Sequence, residues 1–150
     1  MALATAKQRH LAAISRLLAS SDLPSAGVET HLDTFVVAED VTLAGEEIGK
    51  AVVGVGGLEI HGRSALLRSV AVASDFRRKG IASAICAWLE EDAPRRGISH
   101  IYLLTETAES FFANRGYAVM ARADAPAEIT ATEEFTTLCP DSAVLMVRAC

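Results

Sequence analysis

The chain has 150 residues, of which 51% are hydrophobic and 22% are charged, and its formal net charge at pH 7 is −5. This composition excludes a disordered chain, and the length predicts a single domain over residues 1–150. The negative charge argues against nucleic acid as a partner. The absence of any apolar run of about 18 residues argues against a membrane span.

The cysteine pattern argues against both a disulfide framework and a metal site. Cys86, Cys139 and Cys150 are odd in number, widely spaced and form no C-x-x-C pair. Reduced thiols in a cytoplasmic protein without bound metal are therefore expected. The N-terminal residues lack a basic segment before a long apolar run, so no signal peptide is predicted.

The first half of the chain predicts one helix and then strands. Thr5-x-x-Gln8 has the spacing of a capping box, and the apolar residues that follow at helical spacing predict a helix over about 6–20. A short helix over 28–32 is a further prediction. Strands are predicted over 35–38, with a polar end at Glu39-Asp40, and over 48–60. Glycines at 54, 56 and 57 would permit a bulge or close packing in the second of these strands.

The second half predicts alternating strands and helices. A strand over 66–73 precedes a helix that starts at Ile81 and ends near Pro94 and Gly97. The predicted buried stripe of this helix comprises Ile81, Ile85, Trp88 and Leu89. Further strands are predicted over 101–104, 117–121 and 143–147, with a helix over 107–114 and a capping box at Thr130-x-x-Glu133. The fold class is α+β: a mixed, mostly antiparallel sheet with helices on both faces.

The segment between the strand over 66–73 and the following helix suits an anion. Arg77, Arg78 and Lys79 carry positive charge next to the first turn of the helix, whose N–H groups have no partners within the helix. Gly80 lets a ligand approach the backbone closely. A phosphorylated ligand is therefore expected. Neither G-x-x-x-x-G-K-[ST] nor a helix-opening G-x-G-x-x-G occurs in the chain.

The pattern Arg77-x-x-Gly80-x-Ala82, directly after Val70-Ala71-Val72, resembles the coenzyme A signature of the GNAT acetyltransferase family. The resemblance implies the GNAT fold and acetyl-CoA as cosubstrate. It also implies that the strand binds the pantetheine arm through its main chain and that the loop holds the pyrophosphate. The implied contact residues are Val70, Ala71, Val72, Arg77, Arg78, Lys79, Gly80, Ile81, Ala82 and Ser83. The alternative is an ordinary strand-to-helix turn with solvated Arg and Lys.

A second motif stands where this family carries N-x-x-A-x-x-L-Y-x-x-x-G-F. Ala108 and Gly116 match, whereas Thr105 replaces the usual Asn and Phe112 the usual Tyr. The resemblance implies that Thr105 and Phe112 lie at the coenzyme. The family's Tyr is credited with protonating the departing thiolate, and Phe112 has no proton to donate.

The string L-L-T-x-T-A-x-x-F-F-x-x-x-G-Y over 103–117 and the segment over 122–143 are similar to the arsenic-resistance branch of the family, the ArsN group. This resemblance implies acetyl transfer to the amino group of a small anionic amino acid of the arsinothricin or phosphinothricin type. It also implies a homodimer.

The reaction needs a base and a group that stabilises the oxyanion. An amine at pH 7 must lose a proton before it attacks. Glu59 is the predicted base, with His61, Glu46 and Glu47 as other candidates, and the alternative for each of them is a solvated charge. The backbone N–H near Val70 would face the thioester oxygen if its strand splays from the neighbouring strand.

Arg68 is the predicted anchor of an anionic acceptor. It lies in an otherwise apolar strand, where a buried arginine is costly unless it meets an anion, and alternation puts it on the face of Leu66 and Val70. Glu59 and Thr105 are further predicted substrate contacts, although Thr105 suits helix capping equally well. The alternative for Arg68 is an ion pair with a glutamate at the edge of the core.

Two other functions remain open. The same fold could acetylate a polyamine, an aminoglycoside or a protein N-terminus. A non-catalytic sensor that binds acyl-CoA is the other possibility, and the replacement of the usual Tyr by Phe112 favours it.

Overall fold

The computed structural model describes residues 1–44, 47–138 and 141–150, and its strands form one mixed sheet. The strands are β1 (Ala2–Thr5), β2 (Phe35–Ala44), β3 (Glu47–His61), β4 (Ser64–Val72), β5 (His100–Thr105), β6 (Ala118–Val119) and β7 (Val144–Ala149). Their order in the sheet is β1-β2-β3-β4-β5-β7-β6. The described pairings are antiparallel, apart from the parallel pair β4–β5. The predicted α+β class is confirmed.

Helices connect these strands. In the described part of the chain the α-helices are α1 (Leu11–Ser20), α2 (Ile81–Arg95), α3 (Glu109–Ala113) and α4 (Ala127–Thr130). Short 3₁₀ turns cover Gln8–His10, Leu32–Thr34, Ser74–Phe76 and Arg122–Asp124, and a π-helical segment covers Glu134–Leu138. No helix among the described residues has both the length and the apolar character needed to cross a membrane.

The chain is organised as two compact units. The first comprises Met1–Leu58 and Ser69–Glu91, and the second comprises Glu59–Arg68 and Asp92–Cys150. The single domain expected over the whole chain stays a prediction.

In the first unit, helices cover both faces of the sheet. The face of Val37 and Val55 packs in a core with α1, whereas the face of Gly54 and Gly56 meets α2. A Cβ added to Gly56 would lie 2.6 Å from Ile85 Cγ2, so a larger residue would push α2 away. The glycines of β3 therefore provide close packing, one of the two roles predicted for them. The register between β2 and β3 also shifts at Ala38/Glu39, which marks a bulge there.

In the second unit, the core forms between β4, β5, β7 and α4. Its buried residues include Leu66, Tyr102, Ile129 and Leu145. The capping box expected at Thr130-x-x-Glu133 is wrong, because Thr130 ends α4 and its hydroxyl donates to the carbonyl of Ala127. The next segment is instead capped by Thr132, whose hydroxyl accepts the N–H of Phe135 at 3.3 Å.

The N-terminus departs from the prediction. Residues 2–5 form the edge strand β1, in which Thr5 pairs with Val36, so Thr5 cannot cap a helix. The N–H of Lys7 instead donates to Nδ1 of His10 at 2.9 Å, and α1 begins at Leu11. The polar end predicted at Glu39-Asp40 is also wrong, because pairing with β3 extends β2 to Ala44.

Trp88 is not part of the buried stripe of α2. It is 40% exposed, whereas Ile81, Ile85 and Leu89 are buried. Cys86 and Ala93 are also fully buried, so the buried face of α2 includes them and lies away from Trp88. The short helix expected over 28–32 is a run of turns followed by the 3₁₀ turn Leu32–Thr34.

Candidate active site

The loop between β4 and α2 has a backbone shaped for close contact with a ligand. After the 3₁₀ turn Ser74–Phe76, the four residues from Arg77 to Gly80 are exposed. Arg78 (φ 65°) and Gly80 (φ 81°) both adopt the left-handed conformation. A Cβ added at Gly80 would meet no atom within 4 Å, so the space beside this backbone is open.

Backbone donors of this loop are available to an anion. Among the described residues, no carbonyl accepts the N–H groups of Arg78, Lys79 and Gly80. The first turn of α2 follows directly and adds its own unpaired N–H groups, because a helix leaves its first four donors without internal partners. The positive end of the α2 dipole and the three cationic side chains of Arg77, Arg78 and Lys79 all attract an anion. A pyrophosphate fits this set of donors.

Two side chains brace the loop. Arg77 Nε donates to the carbonyl of Val72 at 3.1 Å, at the end of β4. Lys79 Nζ lies 5.3 Å from the centre of the Phe76 ring, within cation–π range. These contacts order two of the loop side chains, and binding of a ligand by this loop stays a prediction.

The strand before the loop is irregular at Ser69. Ser69 has φ 61°, which is uncommon for a residue other than glycine and breaks the side-chain alternation along β4. The alternation predicted from Leu66 through Arg68 to Val70 is therefore interrupted between Arg68 and Val70. The ladder between β4 and β5 covers Ser64–Leu66, whereas β4 itself runs on to Val72. Such backbone outliers occur often at functional sites.

Arg68 lies in the second unit, buried between two glutamates. Its Nη1 is 3.1 Å from Glu59 Oε1 and its Nη2 is 3.1 Å from Glu134 Oε1. All three side chains are less than a tenth exposed. The structure thus places Arg68 against Glu59, which were predicted separately as substrate contacts, and adds Glu134. It also contains the ion pair that was the alternative for Arg68.

Glu59 also contacts His61. Glu59 Oε2 lies 2.9 Å from His61 Nε2, and the His61 side chain is one-third exposed. In the neutral ring this contact assigns the hydrogen to Nε2 and makes Nδ1 the acceptor nitrogen. Glu59 is itself buried, so His61 connects a buried carboxylate to the surface.

The second motif has mainly structural contacts. The hydroxyl of Thr105 accepts the N–H of Ala108 at 3.0 Å, which is the capping role considered for this residue. Phe112 is buried and packs edge-on against Phe111 and Tyr117, with ring centres 5.0 Å and 5.5 Å apart. The roles of Thr105 and Phe112 toward a coenzyme stay predictions.

The structure describes only some of the remaining candidate bases and cysteines. Glu46 and Cys139 lie outside the described residues, and Glu47 is described only as the first residue of β3. Cys86 is buried and Cys150 is exposed, and neither of these two forms a disulfide in the described part of the chain. No group of three or more His, Cys, Asp or Glu side chains in the described ranges is arranged to hold a metal ion.

A comparison of the sequence with protein families decides the family. The model of the acetyltransferase (GNAT) domain family matches residues 31–119, which is more than half of the chain. The chain belongs to the GNAT acetyltransferase family. This GNAT protein is an acetyltransferase, and its cosubstrate is acetyl-CoA. No curated protein sequence matches it.

Solved structures share its fold. Rv2747 from Mycobacterium tuberculosis, solved in complex with CoA, is 22% identical with a TM-score of 0.80, over 100% of this chain and 99% of that one. N-acetylglutamate synthase from Neisseria gonorrhoeae, complexed with coenzyme A and N-acetyl-glutamate, is 19% identical with a TM-score of 0.76, over 99% of this chain and 34% of that one. A GNAT acetyltransferase from Staphylococcus aureus is 17% identical with a TM-score of 0.71, over 99% and 98% of the two chains.

Gly80→Ala in this GNAT protein is expected to raise the KM for acetyl-CoA about tenfold or more. The added Cβ enters the open space beside the loop, and a lost hydrogen bond to a charged group costs about 1.5–3 kcal/mol. Gly97→Ala is the matched control, because Gly97 has φ 82° and equally open surroundings but lies after α2. Steady-state kinetics and urea unfolding of both variants make the test. An equal change of KM in the two variants would contradict a ligand role for Gly80.

Two features of the site escaped the sequence reasoning. Glu134 had no predicted role, although a buried arginine does signal that some carboxylate must meet it. The sequence does not signal the conformation of Ser69, because a positive φ is typical of glycine and not of serine.

Proposed function

We propose that this acetyltransferase acetylates the amino group of a small amino acid that carries an anionic tail, of the phosphinothricin or arsinothricin type. The observation that carries the proposal is Arg68, a buried guanidinium in β4 two residues before Val70. Its planar fork suits a carboxylate, phosphinate or arsinate. A bound anion would compete with Glu59 and Glu134 for this fork.

Two further observations support an amino acid as the acceptor. The segments over 103–117 and 122–143 are similar to the arsenic-resistance branch of the family. The N-acetylglutamate synthase with the same fold was solved with N-acetyl-glutamate, an acetylated amino acid with an acidic side chain.

We further propose that Glu59 and His61 remove the proton from the acceptor ammonium. His61 Nδ1 takes the proton, and the Glu59 carboxylate beside Nε2 stabilises the imidazolium that forms. Arg68 holds the other oxygen of Glu59 and thereby orients the pair. The N–H of Val70, next to the irregular Ser69, is the proposed donor to the oxyanion.

A cationic acceptor such as a polyamine is the second candidate. The two carboxylates that surround Arg68 favour this candidate. Their combined negative charge exceeds the positive charge of Arg68, so they attract an ammonium group. The proposed homodimer rests on the resemblance to the family, and the proposed cytoplasmic location rests on the cysteine pattern.

Thiol release from acetyl-CoA, measured with a panel of acceptors, tests these alternatives. The panel contains glutamate, phosphinothricin, arsinothricin, spermidine, an aminoglycoside and a peptide with a free N-terminus. Turnover is expected with the anionic amino acids. Their kcat/KM should be at least about tenfold above that for spermidine, because one charge-assisted hydrogen bond contributes about that factor. A preference for spermidine would overturn the anionic acceptor. Tight acetyl-CoA binding without release for any acceptor would support a sensor instead.

A further inference from the structure

A cavity of about 750 Å³ lies in the first unit, away in sequence from the proposed coenzyme loop, residues 77–80. Its wall is formed by the 3₁₀ turn Gln8–His10, by α1, by Glu39 of β2 and by the N-terminal half of β3. Ala13 and Val52 contribute apolar surface. The proposed acetyl transfer uses none of these residues.

The cavity wall carries an excess of positive charge. Arg9, Arg16 and Lys50 line it, and all three side chains are exposed. Among the side chains that the structure describes, none forms an ion pair with them. Glu39 is the single acidic residue of the described lining, so the three cations outnumber the acidic residues described there.

His10 adds a buried donor to this wall. The ring is only 5% exposed, and its Nδ1 accepts the N–H of Lys7 at 2.9 Å. In the neutral ring the hydrogen therefore lies on Nε2. Nε2 lies 3.5 Å from Glu39 Oε2 but makes no hydrogen bond in the described part of the chain. A buried donor that lacks a hydrogen-bond acceptor is costly, and a ligand oxygen can supply one.

We propose that this cavity binds a small organic anion. Its carboxylate or phosphate accepts the hydrogen of His10 Nε2 and pairs with Arg9, Arg16 and Lys50, and a compact hydrocarbon part contacts Ala13 and Val52. The described lining residues lie in the first unit, and none of them belongs to the Arg68 cluster. The inference does not depend on the identity of the acetyl acceptor.

Isothermal titration with inorganic phosphate and with glutarate tests the site, at an ionic strength held constant with sodium chloride. Saturable binding of at least one probe is expected. The double variant Arg16→Gln/Lys50→Gln should weaken it at least about tenfold, since each charge-assisted contact is worth that much. Arg95→Gln is the matched control, because Arg95 is an exposed cation at the end of α2 and outside the cavity.

His10→Phe provides an independent variant, which removes the donor and leaves the rim charges unchanged. It should also weaken binding, with far-UV circular dichroism reporting whether the protein folds. Three results would overturn the inference. The first is that neither probe binds saturably, and the second is an equal loss of binding in Arg95→Gln. The third is displacement of the probe by acetyl-CoA, which would assign the anion to the proposed coenzyme loop.

Discussion

Arg68→Met is expected to lower the free energy of unfolding by about 3–5 kcal/mol, the range for removing one partner of a buried ion pair. Arg68 is the cation shared by Glu59 and Glu134, and all three side chains are buried. Methionine retains much of the side-chain length but leaves two carboxylates in a poorly hydrated environment without that charge. Urea denaturation at pH 7 measures the change.

Arg96→Met is the matched control for this loss. Arg96 forms an ion pair with Asp92, but its side chain is 40% exposed, so its removal should cost less than about 1 kcal/mol. The triple variant Arg68→Met/Glu59→Gln/Glu134→Gln should recover part of the stability, because amides are cheaper to bury than carboxylates. An Arg68→Met effect no larger than that of Arg96→Met would contradict a buried ionic cluster.

The same variant separates stability from acceptor binding. If Arg68→Met stays folded at low temperature, the KM for an anionic acceptor should rise while the KM for acetyl-CoA stays constant. A rise in both constants would indicate general damage to the fold instead of a lost anchor.

Glu59→Gln is expected to lower kcat about 100-fold, the lower end of the range for general base catalysis. Glutamine keeps the volume of Glu59 but removes the charge that stabilises protonated His61. The loss should shrink as the pH rises, because a growing fraction of the acceptor amine is then already neutral. The pH profile of kcat/KM, measured with saturating acetyl-CoA, provides the test.

His61→Asn tests the other member of the Glu59–His61 pair, and His100→Asn is its control. His61→Asn should lower kcat as Glu59→Gln does, and the double variant should be little worse than either, because the two residues act as one unit. His100→Asn should leave kcat unchanged, since His100 is exposed at the start of β5. Retention of full activity in Glu59→Gln would rule out Glu59 as part of the base.

Elements with strong local patterns were predictable from the sequence. The helix α2 and the strands β3 and β5 follow from apolar periodicity and from turn residues at their ends. The strand β1 was missed because it has only four residues and is an edge strand, with little apolar pattern of its own. The length of β2 was underestimated because pairing with β3 carries it through polar residues.

The chemistry predicted for the loop between β4 and α2 follows from the sequence alone. Arg77, Gly80 and Ala82 are close along the chain, so their spacing, the strand before them and the helix after them specify the local geometry. Only the tertiary structure decided which carboxylates meet Arg68, that Ser69 has a positive φ, and that His10 is a buried donor beside Glu39. These features depend on contacts between residues far apart in the chain, and the register and packing that create such contacts are not specified by any local pattern.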